Sequence, residues 1–388
     1  MILNHEARIE KAAALMEAFE AHTPFDRAGG RYLWTDAFAV CNYLSLFKRL
    51  GAKGYLDKAR ALIDAVHREL GTFRADDGRH GTLSGLGEAD AAHYPTVAGL
   101  RIGKPLPERG VEEAYDETSE WDRDGQYFHY LTKWMHALDR MAAVSGEVRY
   151  SRWAVELAKS AHRAFTYTMP DGSKRMYWKM STDLRRPLVA SMGQHDALEA
   201  YVTYLQLSVT ARALGDDAGL GGELEATGAM AETMPLLTDD PLGLGGLLFD
   251  ATRVTQMMAG HDLPLRGLLR ALLEAAREGT ERFLQSSALR YPAEARLAFR
   301  ELGLGIGLHG VSLMQVLNDG HLKNGVLAEQ LGALQASVPM AEVLELFWLR
   351  EAHQAAATWR EHADINTVML ATSLLPDAFL TIGGPEHA

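Results

Sequence analysis

Six times along this chain a phrase rich in Gly, Trp, Asp or His runs straight into a strongly apolar helical stretch. The phrases are Trp34-Thr35-Asp36-Ala37-Phe38, Asp122-Arg123-Asp124-Gly125-Gln126-Tyr127-Phe128-His129 and Gly193-Gln194-His195-Asp196-Ala197-Leu198. Gly243-Leu244-Gly245-Gly246-Leu247-Leu248, Gly305-Ile306-Gly307-Leu308-His309-Gly310 and Asp364-Ile365-Asn366-Thr367-Val368 complete the series. Leu198, Tyr201, Val202 and Leu205 recur at i, i+3, i+4, i+7, as do Tyr127, Tyr130, Leu131 and Trp134, the spacing of one apolar helix face. Between the phrases lie helices with one charged face, over residues 53–70, 147–167, 265–285 and 342–360. Strand signals are few, and the strand–helix alternation of a parallel sheet is missing. Length alone suggests two or three domains. A hairpin that cannot bury its apolar face alone needs its neighbours, so the repetition predicts one closed all-α domain over residues 1–388. The longest connection, about residues 72–124, reads as an insertion, and insertions of that length in a compact domain are usually functional.

The net charge of −12 disfavours nucleic acid as a partner, because phosphate binding needs clustered Lys and Arg. The single cysteine, Cys41, lies in an apolar helical stretch, so no internal disulfide forms and the thiol reads as a small hydrophobe. The N-terminal residues show no secretory signal, and no apolar run approaches the roughly 20 residues that cross a bilayer. A cytoplasmic protein with no membrane partner is expected.

Six helical hairpins with Trp, Asp and His before the buried helices resemble the six-hairpin glycosidase-like (α/α)6 toroids. The resemblance spans about residues 5–376 and rests on that architecture. It rests also on phrases such as Tyr32-Leu33-Trp34-Thr35-Asp36 and Trp121-Asp122-Arg123-Asp124-Gly125-Gln126-Tyr127. That superfamily contains glycoside hydrolases, polysaccharide lyases and sugar epimerases. The resemblance implies a ring in which the buried helices run parallel, so that their starts gather at one rim. Helix dipoles there favour anionic groups.

Glycosidic cleavage needs one carboxyl that keeps its proton and another that stays ionised. Asp122 and Asp124 close an acidic loop, Asp36 opens the first buried helix, and His195 with Asp196 opens the third. These five are the catalytic candidates, although each carboxylate has an equally plain reading as a helix cap. Trp34, Trp121 and Trp178 offer flat faces on which a pyranose stacks. Tyr127, His129, His309 and Asp364 complete the candidate binding set. The expected activity is that of a glycoside hydrolase acting on a small saccharide or glycoconjugate. Two alternatives stand beside it. One is a sugar epimerase or lyase moving protons with His129, His195, His309 or Tyr127. The other is a binding or scaffold toroid without turnover. The Gly305–Gly310 phrase satisfies G-x-G-x-x-G but has no preceding strand, so dinucleotide binding is not expected. No zinc motif is present, and neither metal nor cofactor is expected.

Overall fold

The computed structural model describes residues 3–27, 29–261 and 263–382. It is all-α in class, with 65% helix against 4% strand. The chain begins with α1 (His5–His22), α2 (Leu33–Leu50), α3 (Lys53–Leu70) and two short helices, α4 (Glu88–His93) and α5 (Glu117–Asp122). Then come α6 (Phe128–Ser145), α7 (Val148–Phe165), α8 (Asp196–Ala213), α9 (Gly221–Ala231), α10 (Pro241–Gly260), α11 (Arg266–Gln285) and α12 (Ala298–Leu317). The remainder is α13 (Gly325–Gln335), α14 (Pro339–Trp348), α15 (Glu351–Gln354), α16 (Ala357–Arg360), α17 (Ala363–Leu374) and α18 (Asp377–Leu380). Among the described residues no helix is long and apolar enough to cross a membrane.

Burial alternates along the chain as the periodicity predicts. α6 is buried on every side from Leu131 to Ala142. The next helix, α7, buries Tyr150, Ala154, Leu157, Ala158, Ala161 and Phe165 and turns Arg152, Lys159 and Arg163 to solvent. Two helix ends show the chemistry that sets them. Gly146 takes the left-handed conformation after α6 (φ 73°) and donates its N–H to Ala142 O, which a residue with a Cβ does less readily. Asp240 caps α10 by accepting from Gly243 N, with Pro241 pre-set in the first turn.

The chain divides into two compact units, and one of the boundaries between them falls inside α2. One unit takes Thr23–Val40 and Gly54–Met234. Here α6 packs on α7 and α8, and α8 on α9. It also holds short strands. β1 (Gln126–Tyr127), β4 (Lys179–Met180) and β5 (Pro187–Val189) form an antiparallel sheet in the order β1-β4-β5, with Tyr127 opposite Lys179. β2 (Thr166–Thr168) and β3 (Lys174–Met176) form a separate hairpin. The other unit takes the chain up to His22, Cys41–Lys53 and the described chain from Pro235 onward. In it α10 lies against α11 and α12, α12 against α14 and α17, and α1 against α17.

Three local expectations differ from what is observed. The Gly305–Gly310 phrase is not a loop before a helix but lies inside α12, because its glycines let α10 and α12 approach closely. His309 is therefore a mid-helix residue, not a helix start. The 342–360 helix breaks into the end of α14, then α15 and α16. The last residues of the 147–167 stretch leave the helix to pair as β2.

Candidate functional site

In the unit holding α6, the starts of α2 and α6 and the end of β1 bring a cluster of rings together. Tyr127 stacks on Trp178 with centroids 5.1 Å apart and on His129 at 5.4 Å. Trp34 lies 5.3 Å from Tyr130 and 6.0 Å from His129. Tyr32 shares a 2.7 Å hydroxyl contact with Tyr130. Trp121 meets Trp178 edge-on at 5.2 Å and is 49% exposed, so the cluster runs from the interior to solvent.

The sequence builds this by pinning both sides of the acidic loop. Lys179, wholly buried on β4, donates to Glu120 O (2.8 Å), Glu120 Oε1 (2.9 Å) and Arg123 O (2.8 Å). Between those anchors, Trp121 and Asp122 are left to project. Asp122 is exposed and near enough to Tyr32, Tyr127 and Lys104 to act on their charge states. Lys104 is half-buried, its Nζ sits 5.6 Å above the Tyr32 ring, and burial pushes its pKa down.

The five catalytic candidates separate clearly. Asp124 is fully buried and accepts from Arg101 Nη1 (2.5 Å), Gly103 N (3.0 Å) and Gly125 N (3.0 Å). Asp36 is 1% exposed and accepts from Arg31 Nη1 and Tyr32 N, each at 3.1 Å. Carboxylates committed in this way to buried cations and backbone amides hold the loops in place, and we assign neither a proton-carrying role. Asp122 keeps its carboxylate towards solvent. Asp196, in the first turn of α8, is 5% exposed, and its pKa is pushed up to about 7. Burial is the main cause, and the neighbouring Glu199 adds to it. Gly193 N donates to Asp196 Oδ2 at 3.0 Å, and a side chain at Gly193 would collide with that carboxyl. His195 is the half-buried N-cap residue of α8.

One turn inside the helices lie two residues that the loop phrases do not contain. Glu199 is paired with Lys133 and accepts from Thr132 Oγ1 (2.5 Å), and Lys133 Nζ stands 5.5 Å above the Trp34 ring. The pair links the ring cluster to Asp196, since both members influence His129 and Asp196. Their signal in the sequence is a charge on each of two helices that are otherwise buried, where an ionised group needs a partner. Burial pushes His129 down to about 4, so its imidazole is neutral at physiological pH. His129 Nδ1 and Trp34 Nε1 are buried without a hydrogen-bond partner. Burial pushes Tyr32 up to about 12, which keeps its hydroxyl protonated.

His309 and Asp364 belong to the other unit. His309 Nε2 lies 2.7 Å from the buried Glu345, which also takes Arg8 (2.6 Å) and Ser373 Oγ (2.7 Å). Asp364, in the first turn of α17, meets His22 Nδ1 at 2.7 Å in a largely exposed pair. Among the described residues no three His, Cys, Asp or Glu side chains converge as a metal set. No family model matches the chain, and no curated protein matches it.

Proposed function

We propose that the ring cluster and Asp196 form the active site of a carbohydrate-active hydrolase acting on a small saccharide or glycoconjugate, carried on a six-hairpin (α/α)6 arrangement. The observation that carries the reading is the placement of Asp196, a buried carboxyl whose pKa burial pushes up to about 7, which is linked through Glu199 and Lys133 to an aromatic cluster that reaches solvent at Trp121. Trp121 supplies the exposed stacking face, with Trp178 beside it and Tyr127 backing Trp178 from the interior. Trp34 Nε1 and His129 Nδ1 supply polar atoms whose lack of partners a sugar hydroxyl would relieve. In this reaction Asp196 gives its proton to the glycosidic oxygen. Water adds at the anomeric carbon, and Asp122 takes the proton that water releases. The Lys133–Glu199 pair tunes Asp196 and does not touch the reacting atoms.

A second reading is proton transfer at a sugar carbon, and the neutral His129 with its unpartnered Nδ1 favours it. Both are tested together by incubating the protein with a panel of glycosides and free sugars in D2O. Hydrolysis releases reducing ends, falls as pH rises through about 7, and drops by about 100-fold or more in Asp196→Asn and in Asp122→Asn. Epimerisation instead places deuterium on a sugar carbon and is lost in His129→Gln while surviving in Asp122→Asn. Saccharide binding with neither product would leave a binding protein without turnover.

A further inference from the structure

A second cavity lies away from the ring cluster in the same unit, and nothing in the proposed reaction uses it. Its volume is about 580 Å³, within the range of small-molecule sites. One wall is the C-terminal half of α3, with Asp64, His67 and Arg68; Trp153 of α7 adds a ring. The remainder is the insertion, from the Gly81–Leu86 turn to α4 and Tyr94. The Gly81–Leu86 turn is held to the end of α3 by Phe73 N donating to Gly81 O and Leu83 N to Gly71 O, each at 2.9 Å, and the 93–97 stretch is tied to α7. Trp153 Nε1 donates to His93 O (3.0 Å), Thr96 Oγ1 to Trp153 O (2.8 Å) and Ser160 Oγ to Val97 O (2.7 Å). The space is therefore a built feature and not the underside of a loose loop.

His67 indicates what would fill it. Its Nε2 accepts from Trp134 Nε1 at 3.1 Å. An indole N–H only donates, so the ring hydrogen of His67 must sit on Nδ1. No hydrogen bond to another described residue uses that Nδ1–H, and His67 lines the cavity. Burial pushes the imidazole down to about 3, so the donor is uncharged. Elsewhere in the lining are the acids Asp64 and Glu88 and one cation, Arg68, which also donates to Phe25 O. Ser84 Oγ donates to Thr82 Oγ1 (3.2 Å), and Thr82 Oγ1 donates to Leu86 O (2.9 Å). With no excess of cations, the lining does not favour an anion. A wholly apolar ligand would leave the His67 donor unanswered.

From the unclaimed His67 donor, the flanking Trp153 and Tyr94 rings and the facing acids, we infer that this cavity is a second binding site for a neutral polyhydroxylated ligand of one or two sugar rings. Ring C–H faces lie against the aromatics, a hydroxyl oxygen accepts from His67, and other hydroxyls donate to Asp64 and Glu88. The inference stands on this lining and does not depend on the reaction proposed above.

The test is fluorine NMR of the full chain carrying 5-fluorotryptophan, titrated with neutral mono- and disaccharides and, separately, sugar phosphates. Trp153→Phe assigns the Trp153 signal, while Trp121 and Trp178 report on the ring cluster. We expect a saturable shift of Trp153 with at least one neutral sugar. That shift disappears in Ala92→Trp and in Leu86→Trp, which fill the cavity from exposed positions on its lining, while the other tryptophan signals stay native. A Trp153 signal that no neutral sugar moves, that only sugar phosphates move, or that still shifts in both filled variants overturns the inference. Failure of the proposed hydrolase shows elsewhere, as Trp121 and Trp178 signals that no sugar moves.

Discussion

At the scale of single residues, one carboxyl sets function against stability. Asp196 holds its proton to about pH 7 in the fold, against a usual value of 3.8. Between those values the unfolded chain has lost a proton that the folded chain keeps, so stability falls as pH rises and the loss is complete above about 7. The ceiling on this penalty is roughly 4 kcal/mol, because each tenfold change in proton affinity is worth about 1.4 kcal/mol. Asp196→Asn removes it and leaves an oxygen to accept from Gly193. The variant should match the natural protein near pH 4 and exceed it by up to a few kcal/mol near pH 8 in urea titrations. A stability difference that does not change with pH would show that this carboxyl ionises normally. Asp122 and Asp124 make a complementary pair. Asp124→Ala strands the buried Arg101 and should cost about 3 kcal/mol or more, whereas exposed Asp122→Ala should stay within about 0.5 kcal/mol while losing turnover. In the sequence these two aspartates look alike. Which one is saturated depends on Arg101 and Gly103, some twenty residues away, and no local pattern reveals that.

At the scale of elements, the helices are legible in the sequence because burial on one face or on all faces leaves a periodic trace. The α3 boundaries, Lys53–Leu70, coincide with the charged-face stretch over residues 53–70. The ring cluster is legible in part: Trp34, Trp121, Tyr127, His129 and Trp178 stand out as loop and helix-start residues, but Tyr130, Lys133 and Glu199 lie a turn deeper. The glycine-rich phrases read as loops although they are helical, because glycine marks a turn and a close helix contact equally well. Their role inside the helices is testable. A methyl on Gly245 would overlap the Gly303 carbonyl oxygen of α12, and one on Gly307 would come 2.8 Å from Gly245 Cα. Gly246, one residue along α10, has nothing within 4 Å. Alanine is the better helix former by up to about 1 kcal/mol, so Gly246→Ala should stabilise by several tenths of that or more. Gly245→Ala should destabilise by about 2 kcal/mol or more, since backbone must move to admit it. Paired thermal melts decide it, and equal melting temperatures would mean that α10 and α12 are not packed this closely.

At the scale of the whole molecule, both compact units are assembled from separated stretches of chain, which limits how the protein can be cut. The unit carrying the ring cluster draws Thr23–Val40 from before α3. That stretch supplies Tyr32 and Trp34, and much of its attachment is by backbone. Leu33 N donates to Ile102 O (3.0 Å), while Gly29 N and Arg31 N donate to the two Glu69 carboxylate oxygens (2.9 and 3.1 Å). A fragment of residues 54–234 would keep α6, α7, α8 and the second cavity's walls but lose these partners and one side of the ring cluster. It should unfold at lower urea than the full chain and show no sugar-dependent shift at Trp121 or Trp178. Joining residues 23–40 to its N-terminus through a flexible Gly/Ser linker should restore part of both, because the linker returns the segment at high effective concentration. A bare 54–234 fragment as stable as the linked one would show that the N-terminal segment is an appendage to this unit. Recovery of stability without recovery of the sugar response would separate folding of the unit from assembly of its site.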